Sequence, residues 1–271
     1  MRAGAWIVNA VLALAAAATL LPLAWMLSVS LMPPGAASML PPPVFPHPAT
    51  LANYRELFDR VQIGRRFLNS VLLASAVTLG SLALNTAAGY AFAKLRFAGR
   101  EKVFRLLLGA LVIPGQVAMM PLFLLLKHLG LVNSYGGVIV PALASIFGLF
   151  LVRQNALAIP DELIEAARID GASELRIFTA IVVPLLRPVL ATLAVLTFLG
   201  SWNDFMWPLI VLGDAQLQTL PVALASLARE HVQDNELMMA GAVVTVVPVL
   251  VLFVLVQKHY IDSLAGTLKG W

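Results

Sequence analysis

Acidic side chains are scarce in this chain, yet five of its fourteen, Asp161, Glu162, Glu165, Asp170 and Glu174, fall within fourteen consecutive residues. Arg168, Arg176 and Arg187 stand with them in a polar island at residues 160–188 of an otherwise apolar chain, and Arg153 lies shortly before it. Carboxylates and guanidinium groups spaced along short helices suit ion pairing with another macromolecule. Groups that would complete a catalytic site are missing. No Gly-x-x-x-x-Gly-Lys-Ser/Thr loop cradles a nucleotide, no His-Glu-x-x-His spacing offers a metal and a base, and no Gly-x-Ser-x-Gly elbow presents a nucleophile. The four histidines, His47, His128, His231 and His259, are scattered, and the lack of cysteine removes thiolate chemistry and disulfides. Asp204 is the one acidic residue inside an apolar run, and a membrane hydrolase would need a second carboxylate there.

The elements that must position the island are membrane helices. Hydrophobic residues make up 60% of the chain and charged ones 12%, and the mean hydropathy is +0.89. A bilayer core about 30 Å thick needs roughly 20 apolar residues of helix. Six runs approach that length: Trp6 to Leu27, Val71 to Phe92, Leu106 to Leu126, Gly136 to Val152, Pro188 to Leu212 and Leu237 to Val256. The expected fold is therefore all-α, a polytopic integral membrane protein of six transmembrane helices in a single domain, 1–271. The first run is either a cleaved leader or a retained helix. Retention is favoured, because a leader's apolar core is only about 7–15 residues long and the alanines at 15–18 lie inside this run. Pro22, Pro114, Pro121, Pro141, Pro208 and Pro248 fall in or near the spans, where kinked helices could border a pathway or simply reflect the membrane's tolerance of proline.

The net charge of +4 does not form a face for nucleic acid, because the basic residues flank the spans. With the N-terminus in the cytoplasm, twelve basic residues lie inside: Arg2, Lys94, Arg96, Arg100, Lys102, Arg105, Arg153, Arg168, Arg176, Arg187, Lys258 and Lys269. Six, namely Arg55, Arg60, Arg65, Arg66, Lys127 and Arg229, lie outside, four of them in the long outer segment 28–70. The positive-inside bias then puts both termini, the loop 153–187 that carries the island and the tail 257–271 in the cytoplasm.

Within the island, Pro160 suits a first helical position, and Asp161 and Glu162 complement the positive end of the helix dipole. Gly171 is the expected left-handed terminator, so the first helix runs only to about Asp170, too short to span. Ser173 restarts a second helix that leads through Pro184 and Pro188 into the fifth span. Ala166 and Ala167 leave room for a partner's groove, with Glu165, Arg168 and Asp170 at its rim. A hairpin lying on lipid is the alternative, but five acidic against four basic residues lack the basic excess such segments carry.

At these residues the chain resembles the permease subunits of binding-protein-dependent ABC importers. Their signature stands here as Glu165-Ala166-Ala167, Asp170-Gly171-Ala172 and Ile181-Val182-Val183-Pro184. Within that family it is similar to the second permease subunit of maltose-type carbohydrate importers. Asn53-Tyr54 with Phe67-Leu68-Asn69-Ser70 matches the approach to the second helix, and Ser201-Trp202-Asn203-Asp204 with Trp207-Pro208 and Thr219-Leu220-Pro221 matches the end of the fifth and the loop after it. The tail Leu264 to Gly270 matches with one residue fewer and an extra Trp271. The resemblance implies the type I permease fold, a heterodimer with a homologous permease, two ATPase subunits and an extracytoplasmic solute-binding protein. It implies no cofactor in this chain, since ATP and Mg²⁺ would sit on the ATPases, and location in the cytoplasmic (inner) membrane. It further implies that Glu165 pairs with a basic residue of an ATPase groove and that Ala166, Ala167 and Gly171 allow close packing beside Ala172. Asp170 would cap or brace the turn, and Lys269 and Gly270 in the tail would touch an ATPase. The segment from about Gly213 to Glu236 resembles the one that reaches into the binding protein.

Asn85, Gln116, Ser201, Asn203 and Asp204 are candidates for the pathway, together with Thr86, Ser145 and Thr197, although small polar side chains also join membrane helices. For Asp204 the alternative is a helix that breaks near Asn203 and leaves the carboxylate at the outer interface. The implied cargo is a sugar, with glycerol phosphate, phosphate or polyamine as alternatives. A secondary transporter would show mid-membrane ion-coupling groups and internal repeats, and neither is clear in the sequence.

Overall fold

The structure, a computed structural model, describes residues 2–230 and 234–268, with side chains described for residues 6–228 and 234–254. Among the described residues all regular structure is helical. Contacts divide the chain into two compact units, Met1–Phe67 with Leu220–Leu255, and Leu68–Thr219 with Val256–Trp271. Among the described residues four helices are long and apolar enough to cross a membrane, or up to six if each of two bent pairs is one span.

In chain order, α1 (Arg2–Ser30) is apolar all round and carries Pro22 inside it, as suits a helix whose surroundings are lipid. After an irregular stretch come α2 (Ala52–Asp59) and the long α3 (Ile63–Lys94). The Asn53-Tyr54 pair has a local job in the first unit. Asn53 Nδ2 donates to the Ser30 and Met32 carbonyls at 2.9 and 2.8 Å, taking up acceptors at the end of α1, and Tyr54 Oη meets Ser30 Oγ at 2.8 Å.

The third apolar run is not one straight helix. It divides into α4 (Arg100–Ala110) and α5 (Gly115–His128), bent by 105° across residues 111–114. Pro114 lacks an N–H and disfavours helix at the residue before it, so α4 cannot continue, and Pro114 itself takes extended backbone as it opens α5. The fourth run is α6 (Tyr135–Ala142) and α7 (Ile146–Leu157), each begun by a serine, Ser134 or Ser145, whose hydroxyl accepts from the N–H three residues on. The close approach of α3 to α7 depends on Gly89. A Cβ there would sit 2.5 Å from Val152 Cγ1 and 3.0 Å from the Arg153 backbone nitrogen.

The island forms α8 (Asp161–Ile169) and α9 (Glu174–Ile177), then a π-helical segment over Phe178–Val182, and α10 (Val183–Leu185). The fifth run, Pro188 to Leu212, takes the alternative of a break near Asn203. α11 (Arg187–Trp202) ends at Asn203, and a separate α12 (Met206–Val211) follows. Asp204 causes the division in part, because its carboxylate accepts from the Trp207 N–H at 3.3 Å and so starts the second helix. The segment after it holds α13 (Leu220–Glu230), and α14 (Asn235–Leu268) runs through the sixth apolar run into the tail.

Candidate functional site

The hairpin α8–α9 is built from its corner outward. Pro160, expected at the first helical position, instead caps α8 with extended backbone, so the helix starts one residue later at Asp161, while Asp161 and Glu162 occupy the first turn as anticipated. At the other end Gly171 has φ +81°, and the corner closes with two backbone bonds, Gly171 N to Arg168 O at 3.0 Å and Ala172 N to Ala167 O at 2.9 Å. That pair is a Schellman motif, which satisfies carbonyls the helix end would otherwise strand. Ser173 Oγ accepts from the Arg176 N–H at 3.4 Å and restarts the chain as α9.

Ile164 and Ile177 are buried on the inner side of the hairpin, in one cluster with Tyr90, Val152, Ala156 and Leu193 from α3, α7 and α11. Ala167 and Ala172 are half-buried against that cluster. Glu165, Ala166, Asp170 and Gly171 lie on the exposed side, and Ile169 beside them is 86% exposed. The six residues taken as the docking surface thus separate into four that are free to meet a partner and two that seat the hairpin.

Two polar straps tie the hairpin to the last turns of α3. Lys94 Nζ, itself buried, donates to the Ile159 carbonyl and to Asp161 Oδ1, both at 2.6 Å. One turn earlier, Tyr90 Oη donates to Glu174 Oε2 at 2.8 Å, and Arg168 Nε donates to Glu174 Oε1 at 2.7 Å, so Glu174 joins both arms of the hairpin to α3. The hydrogen bond from Lys94, reinforced by its charge, holds the Asp161 carboxyl below its ordinary value. Asp170, expected to cap or brace the turn, is the C-cap residue of α8, its N–H on the Ala166 carbonyl at 3.0 Å. Among the described residues no hydrogen bond or ion pair reaches its carboxylate, and the side-chain bracing comes from Ser173 and from Arg168 with Glu174. In the sequence Lys94 counts only toward topology and Tyr90 carries no signal of its own, although a lysine at a helix C-terminus with a tyrosine one turn before it has the form of an interfacial anchor.

Beyond α9 the helix widens. The Val183 N–H reaches back five residues to the Phe178 carbonyl, over the turn where Pro184 has no N–H to offer the Ala180 carbonyl. A bend of 78° then separates the stretch Glu174–Leu185 from α11.

In the second unit a cavity of about 440 Å³ opens among α3, α5, α6 and α11. Its polar lining is Ser81, Ser145, Thr197, Ser201 and Asp204, with Trp207 and Phe147 as aromatic walls. Trp207 is fixed by its Nε1–H, which donates to the Gly137 carbonyl at 3.1 Å. Ser201 and Asp204 therefore face the cavity, and Gln116, exposed, and Asn203 do not line it. Asn203 Nδ2 donates to the Leu199 carbonyl at 2.9 Å and terminates α11. Asn85 is buried and does not itself line the cavity, although its partners Ser81 and Ser145 do. Its amide donates to Ser81 and to the Leu143 carbonyl and accepts from the Ser145 N–H, which ties α3 to the break between α6 and α7. Lys269 and Gly270 lie outside the described residues.

Comparison with known proteins agrees with this construction. Over residues 85–264 the chain matches the family described as binding-protein-dependent transport system inner membrane component. The arabinooligosaccharides transport system permease protein AraQ of Halalkalibacterium halodurans is 41% identical, over 83% of this chain and 81% of that protein. The sn-glycerol-3-phosphate transport system permease protein UgpE of Yersinia pestis is 35% identical, over 76% of this chain and 74% of its own length. Among solved structures, a bacterial ABC transporter involved in the import of the acidic polysaccharide alginate superimposes with a TM-score of 0.83, covering 95% of this chain and 96% of that one at 24% identity, which establishes a shared fold. With two thirds of its length matched to the family and a relative at 41% identity, the chain belongs to the inner membrane components of binding-protein-dependent transport systems.

Proposed function

We propose that this chain is one of two permease subunits of an ATP-driven importer for a neutral sugar or oligosaccharide, spanning the cytoplasmic membrane with both termini inside. The observation that carries the choice of cargo is the cavity lining. It offers four hydroxyls, one carboxylate and an indole, and among the described residues no lysine, arginine or histidine lines it. Hydroxyl groups and aromatic faces suit a polyol. A phosphate held about 5 Å from Asp204 would be repelled by about 3 kcal/mol at an effective dielectric near 20, more than one or two hydrogen bonds return. The relative that transports arabinooligosaccharides supports this reading. Import of glycerol phosphate is the second reading, favoured by the 35% identity to the glycerol-phosphate permease, and the cation-free wall opposes it.

The partners in this proposal are a sister permease, two ATPases that bind ATP and Mg²⁺, and an extracytoplasmic binding protein that delivers the solute. An ATPase groove would receive Glu165, Ala166 and Gly171 on the exposed side of the hairpin. Because Lys94 and Glu174 tie the hairpin to α3, a push on it would move α3 as well. Tyr90 lies nine residues, roughly 14 Å at 1.5 Å per residue, from Ser81 in the cavity wall. The force would thus reach the solute's surroundings through one continuous helix, while the π segment and the bend before α11 let the second arm yield. Proteoliposomes holding the complete importer test the cargo. Accumulation of radiolabelled neutral oligosaccharide with exclusion of sn-glycerol-3-phosphate is expected, and the reverse selectivity would overturn the assignment.

A further inference from the structure

Immediately after α3, the turn at residues 95–99 and the start of α4 frame a cleft of about 460 Å³, lined by Arg96, Phe97, Arg100, Glu101, Lys102 and Arg105. Four cations therefore face a single carboxylate. That carboxylate is already engaged, with Glu101 Oε1 3.0 Å from Arg153 Nη2 and 3.4 Å from Arg100 Nε. Arg153 in turn is held by the Phe92 carbonyl at 3.2 Å and by the face of Phe104, 3.9 Å from its guanidinium carbon, so it cannot release Glu101 to the rim. Arg100 Nη1 donates to the Leu95 carbonyl at 2.9 Å across the left-handed Gly99, which fixes the shape of the turn. Phe97 packs edge-on against Phe92, with ring centroids 5.4 Å apart, and anchors the cleft to α3.

What is left over is charge. Arg96, Lys102 and Arg105 are exposed, and among the described residues no carboxylate lies within ion-pair distance of any of them. Held on one small rim, these like charges repel until an anion comes between them. The same helix then turns apolar on an exposed side, where Val103 is 45% and Leu106 75% exposed. A cationic rim at the end of a membrane helix, followed directly by exposed aliphatic side chains, repeats the order of a phospholipid: phosphate first, then acyl chain.

We propose that this cleft binds the phosphate of an anionic phospholipid headgroup, with Arg96, Lys102 and Arg105 as its ligands and Val103 and Leu106 along the chain. Charges that only set topology need to lie in the loop. They need neither a common cleft nor neutralisation of the one acid among them. A site for free phosphate would have no use for the apolar flank.

Native mass spectrometry of the full chain in detergent, titrated with phosphatidylglycerol and with phosphatidylcholine, tests the proposal. Wild type should retain phosphatidylglycerol selectively. At about 1 kcal/mol for each basic residue near a lipid surface, each of Arg96→Gln, Lys102→Gln and Arg105→Gln should weaken retention about fivefold, and the triple variant about a hundredfold. A charge-matched variant on the other side, Arg55→Gln with Arg65→Gln and Lys127→Gln, should keep it. Because the chains are purified, any change of membrane orientation does not enter the measurement. Equal retention by wild type and the triple variant overturns the proposal, as does equal loss in the charge-matched control. Displacement of the lipid by millimolar inorganic phosphate would reassign the site to a free anion. Displacement by bound ATPase subunits would reassign it to a protein contact.

Discussion

Gly171→Val places a β-branched residue at φ +81°, on the corner of the hairpin. A left-handed backbone costs an ordinary residue about 1–2 kcal/mol, and a branched one more. Escape from that conformation would surrender the two corner bonds, at 3.0 and 2.9 Å, worth about 0.5–1.5 kcal/mol each. The two routes cost nearly the same, so the corner should open for part of the time and the angle between α8 and α9 should loosen. Among the described residues nothing beyond the chain neighbours lies within 4 Å of a Cβ built there, so packing against them adds no penalty. That separates two effects. Gly171→Asn tolerates the left-handed backbone and should leave the isolated chain's melting temperature nearly unchanged, whereas a partner packed against the glycine would still meet the new side chain. In the purified importer we expect Gly171→Val to lower solute uptake per ATP hydrolysed about tenfold, the effect of about 1.4 kcal/mol. Gly171→Asn should weaken ATPase attachment without unfolding the permease. Normal uptake and normal coupling in Gly171→Val would refute the reasoning.

The other predictions concern what holds the hairpin in place. Lys94→Met strands the Ile159 carbonyl and should destabilise the hairpin by about 1–3 kcal/mol, read as faster proteolysis in the 158–175 loop while the rest of the chain stays protected. Asp161 has a folded pKa below its unfolded one, so its contribution is complete above the ordinary carboxylate range and is lost as pH falls through the lowered value. Asp161→Asn should remove that acid-sensitive limb from a melting-temperature profile, and an unchanged limb would discount the strap. Tyr90→Phe removes one donor from Glu174 and should cost about 0.5–1.5 kcal/mol, with a double-mutant cycle against Arg168→Gln showing coupling because both side chains hold one carboxylate. Gly89→Ala drives a methyl into Val152 and the backbone at Arg153, and should lower stability by about 1–3 kcal/mol in thermal unfolding.

The hairpin was legible because its corner needs a residue at positive φ and its second helix needs a cap, and Gly171 and Ser173 record both needs in the sequence. The long apolar runs were legible because lipid demands them. The 105° bend before α5 was not, because hydropathy stays high through residues 111–113 and Pro114 signals a break without giving its angle. The division at Asn203 was an open alternative for Asp204, and the contact that decides it, the Asp204 carboxylate on the Trp207 N–H, has the form of an ordinary helix-start signal. Least legible were the straps. Lys94 and Asp161 stand 67 residues apart, and Tyr90 and Glu174 stand 84 apart, distances over which one sequence carries no pairing information. The cavity was half visible. Ser201 and Asp204 line it, while Asn85, polar and inside a span like them, spends its amide on holding α3 to the start of α7.

The chain has no cysteine, so Ala166→Cys introduces a single reactive thiol on the exposed side of the hairpin. Site-directed cross-linking from this position in the assembled importer tests the central claim most directly. The account predicts a covalent adduct with the ATPase subunit and loss of solute uptake on cross-linking. A thiol that stays fully open to a water-soluble maleimide in the working importer, with no ATPase adduct, would contradict it.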